Sequence, residues 1–147
     1  MSDLCISGYA SRFGEADLSG DIVQRGAFSA SLLSRAGPFP MLFGHQTDTP
    51  IGIWDRIVED DIGLFVAGCI LGDAEPTRRL VESGAVSGLS IGYRTRRAQP
   101  RPSGGRILTD IDLWEVSVVA FPMLRSARVT HIGDTSESNA HHQRRHA

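Results

Sequence analysis

Lysine is missing from this chain: all fifteen basic residues among its 147 are arginine. No single site imposes such a choice, so it reads as a compositional bias of the genome. A large excess of either charge is missing too. Seventeen acidic residues stand against the fifteen arginines, for a net charge of −2. A near-neutral chain is not built to neutralise a run of phosphates, so nucleic-acid binding is not expected. Long apolar runs are absent, since nothing approaches the roughly 20 residues that cross a bilayer. The opening Met1-Ser2-Asp3-Leu4-Cys5 has neither a basic patch nor an apolar stretch. No membrane association is expected, and the location implied is the cytoplasm. Cysteine is scarce: Cys5 and Cys69 both lie in apolar, strand-like segments and read as buried free thiols of a reducing compartment. Metal-ligand clusters are absent as well. His45 and Asp48 supply two ligands but no zinc spacing follows, and Asp17 and Asp21 lack the bidentate glutamate of a calcium loop, which leaves a turn held by Asx-type bonds. No metal and no cofactor are expected.

What is present is mostly strand signal. Leu4 to Phe13 reads as a first strand, followed by a polar, glycine-containing turn up to Asp21. Ala27 to Arg35 is a short helix with Phe28 and Leu32 one turn apart, ended by Gly37-Pro38 and Pro40. Met41 to Gly44 reads as a short buried strand. Pro50 to Val58 and Gly63 to Leu71 form a hairpin around Glu59-Asp60-Asp61. Glu75 to Ser83 is a second short helix, with Pro76 in its first turn and Gly84 just past its end. Ala85 to Arg97 and Arg106 to Phe121 are long strands separated by a Pro/Gly loop over 99–105. The fold class that follows is α+β, mainly β: a small β-barrel with short flanking helices. One domain over 1–132 and a polar, disordered tail over 133–147 complete the expected organisation.

Three residues point to chemistry. Ser90 lies in Ser87-Gly88-Leu89-Ser90-Ile91-Gly92-Tyr93, where alternation puts it on one strand face with Gly88 and Gly92. Neighbours without side chains would leave a cleared strip on which a substrate backbone can lie. A serine nucleophile needs a base, and His45, at the end of an apolar run, offers an imidazole whose ordinary pKa of roughly 6.5 suits the task. Strict alternation along the second long strand puts Glu115 in a row with Ile107, Ile111, Leu113, Val119 and Phe121. A carboxylate in an apolar row requires a partner, and an imidazole is a suitable one. Backbone amides near Gly92, or Arg94 through a water, would meet a developing oxyanion.

Gly88-Leu89-Ser90-Ile91-Gly92 also matches the G-x-S-x-G elbow of α/β-hydrolases, with Asp112 or Glu115 and then His131 in that family's order. The elbow demands a sharp turn into a helix. Here the strand signal continues through Arg97, so a small serine esterase ranks last.

Several blocks in order resemble the tailed-phage prohead maturation protease family. They are Gly8-Tyr9-Ala10-Ser11 with Asp17, Asp21 and Gly26-Ala27-Phe28; Gly44-His45 with Pro50-Ile51-Gly52; Gly63-Leu64; the Gly88-to-Tyr93 block; and Leu113-Trp114-Glu115-Val116-Ser117 with Pro122 and Ala127. The resemblance implies a fold similar to herpesvirus capsid-maturation proteases. It also implies Ser90 as nucleophile, His45 as general base and Glu115 as the group orienting the histidine. The implied substrate is a scaffold segment, often fused to the major capsid protein precursor, cleaved within an assembling prohead in the host cytoplasm. Self-cleavage and homo-oligomerisation are compatible with it. Gln46 stands where an aspartate commonly follows the histidine, and the helical C-terminal extension common in the family is replaced by a polar tail. The short form and the arginine-only content fit a prophage or gene transfer agent of a high-GC bacterium. The rival reading is a non-catalytic module that binds capsid or scaffold chains.

Overall fold

The computed structural model describes residues 3–35 and 37–133. Of the expected tail, only Gly133 falls within them. The elements in chain order are β1 Leu4–Arg12, β2 Ile22–Val23, α1 Ser29–Ser34, β3 Phe39–Phe43, β4 Gly52–Glu59, β5 Gly63–Ile70, α2 Thr77–Glu82, β6 Gly88–Pro100, β7 Arg106–Val119 and β8 Val129–Gly133. The mainly β class with short helices is the one the sequence implies. Sequence patterning gives no sign of β8 or of β2, the latter being only two residues long. β6 also runs on to Pro100, into the segment read as loop. No helix among the described residues is long and apolar enough to cross a membrane.

The sheet is organised around β7. On one edge it pairs antiparallel with β6 along nearly its whole length. On the other it pairs in parallel first with β2 and then with β3. From β3 the chain of antiparallel pairs continues through β4, β5, β1 and β8. Between β2 and β3 the edge of β7 has no strand beside it, and the α1 region takes over. Ile111 N–H donates to Ala27 O (3.0 Å), and Leu113 N–H donates to the Ser31 hydroxyl (2.9 Å). These contacts satisfy backbone groups that a buried strand cannot leave unpaired.

The expected barrel is not fully closed. Residues 127–129 return beside β6, where Leu89 N–H donates to Ala127 O (2.9 Å) and Val129 N–H to Ser87 O (2.8 Å). One isolated bridge, Gly88 to Arg128, is all the ladder that forms there. Beyond Leu89 a seam remains between β6 and the far end of β1.

The interior holds Trp54, Phe28, Met41, Leu64, Ile70, Leu108 and Ile111, all essentially inaccessible to solvent. Trp54 also donates its Nε1–H to Val116 O at 2.9 Å, tying β4 to β7 beside the site described below. Truncating a buried aromatic of this size leaves a large cavity. Trp54→Ala is therefore expected to lose about 3–5 kcal/mol, read as a lower urea midpoint with an unchanged slope.

The cysteines differ from the expectation of free thiols. Cys5 and Cys69 face each other across the β1–β5 ladder and form a disulfide. Their opposition depends on the register of two strands 64 residues apart, which sequence spacing does not encode.

Candidate active site

β7 builds the site by changing phase. In its ladder with β6, Tyr93 pairs with Leu113 and Gly92 with Glu115, so Trp114 is an extra residue. Such a bulge shifts the side-chain alternation by one. Ile111 and Leu113 face the core before it, Val116 and Val118 after it. Glu115 and Ser117 consequently turn to the opposite face. Glu115 is buried, as its setting requires, but not in the apolar row that strict alternation assigns it.

His45 reaches the same face through a tight turn. β3 runs parallel to β7, with Leu42 opposite Ser117 and Phe43 opposite Val118. The chain then reverses at Gly44 (φ 59°) and His45 (φ 62°), closed by Gln46 N–H donating to Phe43 O at 3.1 Å. Positive φ at both central residues is the mark of a type I′ turn. His45 is the one non-glycine residue with positive φ among the described residues. Its Nδ1 is hydrogen-bonded to Glu115 Oε1, while its backbone N–H donates to Ser117 Oγ (3.0 Å). Ser117 in turn donates to Glu115 Oε2 at 2.7 Å. The imidazole remains 45% exposed, and Nε2 is left for other partners.

Ser90 stands directly across the ladder from Ser117. Ser90 and Glu115 are therefore diagonal neighbours on one face, with Cα atoms about 7–8 Å apart by sheet geometry. Among the described residues the imidazole is hydrogen-bonded at Nδ1 to Glu115, and Ser90 makes no hydrogen bond to it. The cleared strip expected around Ser90 is not open, however. A Cβ on Gly88 would lie 2.7 Å from Pro122 Cδ, and one on Gly92 would lie 2.8 Å from both Cγ and Cδ of Glu115. The two glycines make room for protein atoms, and Ser90 itself is only 7% exposed.

Ser90 also borders the seam, on a side that His45 and Glu115 do not line. A cleft of about 100 Å³ opens there, bordered by Ser90, Ile91, Tyr93, Ser11, Asp17 and Met123. Burial, then the charges of Asp17 and Asp21, pushes the Tyr93 phenol up, so it stays a neutral hydrogen-bonding group. The Arg106 guanidinium, 2.9 Å from Asp21, holds that carboxyl below its usual range. Asp17 accepts the Ser19 and Asp21 N–H groups (2.9 and 3.0 Å), which is the Asx-type turn the sequence suggests.

Arg94 lies farther along β6, two-thirds exposed and 4.0 Å from Asp112; Arg96 is nearer that carboxylate at 3.3 Å. His131 is in β8, opposite Ser7, so Glu115 partners His45 and not the histidine an esterase-like order would use. Ser117 is the residue that sequence reasoning passes over. Its signal was the two-residue spacing from Glu115, which puts both on one face.

The model of one family, caudovirus prohead serine protease, matches residues 1–144. The chain belongs to that family. Among its relatives, the prohead protease of Enterobacteria phage HK97 is 35% identical over 129 residues, covering 83% of this chain. The prohead protease of Escherichia phage T5 is 31% identical over 121 residues, covering 80%. This family member spans 57% of the length of each. Its fold is also that of KSHV protease. The complex of that enzyme with a hexapeptide phosphonate inhibitor matches with a TM-score of 0.64 and 19% identity, over 92% of this chain and 66% of the other. A second KSHV protease structure matches with a TM-score of 0.55 and 16% identity, over 95% and 66%.

Proposed function

We propose that this chain is a serine endopeptidase of phage prohead maturation, with Ser90 as nucleophile, His45 as general base and Glu115 as the group that orients it. The observation that carries the reading is the His45–Glu115 pair, assembled over the strand face that bears Ser90. Glu115 on Nδ1 fixes the tautomer and leaves Nε2 to take the Ser90 proton as Oγ attacks a peptide carbonyl. The proton then passes to the leaving amine, and water releases the acyl group by the same route. Backbone amides beside Ser90, or Arg94 through a water, stabilise the oxyanion; one such donor is typically worth about 2.7–4 kcal/mol.

The substrate proposed is a scaffold segment or the precursor of the major capsid protein, cut inside the assembling prohead in the host cytoplasm. The names of the phage relatives support this. The protease domain is assigned to residues 1–132. A peptidyl diphenyl phosphonate tests the chemistry: Ser90 Oγ bonds to phosphorus, phenoxide leaves and His45 takes the proton. One adduct is expected, mapped to Ser90 by mass spectrometry and lost in His45→Ala. An unlabelled protein that still binds capsid precursor would instead be an assembly module.

A further inference from the structure

The hydrogen bonds around Ser117 form a closed circuit. The His45 backbone N–H donates to Ser117 Oγ (3.0 Å), Ser117 donates to Glu115 Oε2 (2.7 Å), and Glu115 Oε1 returns to Nδ1 of the same histidine. A hydroxyl has one proton to give and lone pairs to receive, so Ser117 fills both roles at once. It is completely buried, and no water competes for it.

The circuit restrains His45 at two points. The left-handed backbone at φ 62° is costly for a residue with a side chain, and the bond to Ser117 helps hold it. At the other end, occupying Oε2 leaves Oε1 as the oxygen that faces the imidazole. Ser117 also lies directly opposite Ser90, so the residue that fixes the base forms the floor beside the nucleophile.

We propose that Ser117 is a positioning residue for the Ser90–His45 reaction, holding the backbone of the base and the carboxylate that orients it in one register. The proposal rests on the endopeptidase reading above. Removing the hydroxyl leaves the His45 N–H without this acceptor and a buried carboxylate without one of its donors. The imidazole should then sample unproductive positions while the cleft along β6 keeps its shape.

The test is inactivation by the peptidyl diphenyl phosphonate, resolved into the maximal rate and the half-saturating concentration. In Ser117→Ala the maximal rate should fall about 10–100-fold, the effect of losing a hydrogen bond to a charged group. The half-saturating concentration should stay within about twofold, because no contact with the probe is removed. The His45 Nδ1–H resonance, followed by proton NMR with ¹⁵N-labelled histidine, should broaden or disappear. A folded Ser117→Ala protein with the wild-type maximal rate overturns the proposal, as does a slower one whose His45 resonance is unchanged. If the alanine variant fails to fold, Ser117→Cys keeps a similar volume with a weak donor and is judged by the same two readouts. Absence of any Ser90 adduct in the wild-type chain would instead overturn the endopeptidase reading itself.

Discussion

Ser90→Ala should abolish processing of a co-expressed capsid precursor, with a fall in kcat approaching the roughly 10⁶-fold seen when a serine nucleophile is removed. The substitution deletes one oxygen from a nearly buried position and leaves the β6–β7 ladder untouched. Circular dichroism and thermal unfolding should therefore remain close to those of the parent chain. His45→Ala should produce a loss of similar size, and the double variant should be hardly worse than either. Residues that act on one proton fail together, so their effects do not add. Undiminished precursor cleavage by purified Ser90→Ala would remove Ser90 from the mechanism.

Gly92→Ala should also cost most of the activity, although residue 92 has no side chain to take part in chemistry. The added methyl would overlap the Glu115 carboxylate, which the His45 ring and the Ser117 hydroxyl already hold from the other sides. The carboxylate has to leave its place, and the imidazole loses its orienting partner. Losing that partner costs about 10⁴-fold in kcat in the serine-protease template, and a loss of that order is expected. Overpacking typically destabilises by a further 1–3 kcal/mol or so. Adding Glu115→Asp, one methylene shorter, should recover part of the stability but little of the rate. Wild-type turnover by Gly92→Ala would mean that Glu115 is not needed where it stands. The variant separates two readings of the same glycine: as part of an open substrate strip, or as the recess for a carboxylate.

The contrast at Gly92 also marks how far the sequence could be read. Local signals were legible. β1, the β4–β5 hairpin, α2 and the long strands follow from alternation and from Gly/Pro punctuation. Ser90, His45 and Glu115 could be singled out by residue type and setting. What depends on register could not be read. Strict alternation carries straight through Trp114 and misses the bulge, although the polar positions change parity there, from Asp110 and Asp112 to Glu115 and Ser117. The opposition of Cys5 and Cys69 requires pairing between remote strands. The occupants of the space beside Gly88 and Gly92, Pro122 and Glu115, arrive from other segments, so a glycine-rich strip looks vacant when its own strand is considered alone.

The extra residue at Trp114 acts as a parity switch for the second half of β7. Deleting one residue there would reverse the orientation of everything that follows. Glu115 and Ser117 would enter the apolar interior, and Val116 and Val118 would be turned outward. The side chain at 114 is more than half exposed, so the position carries a constraint on chain length more than on chemical identity. Across related chains, single-residue gaps at this point should be rare.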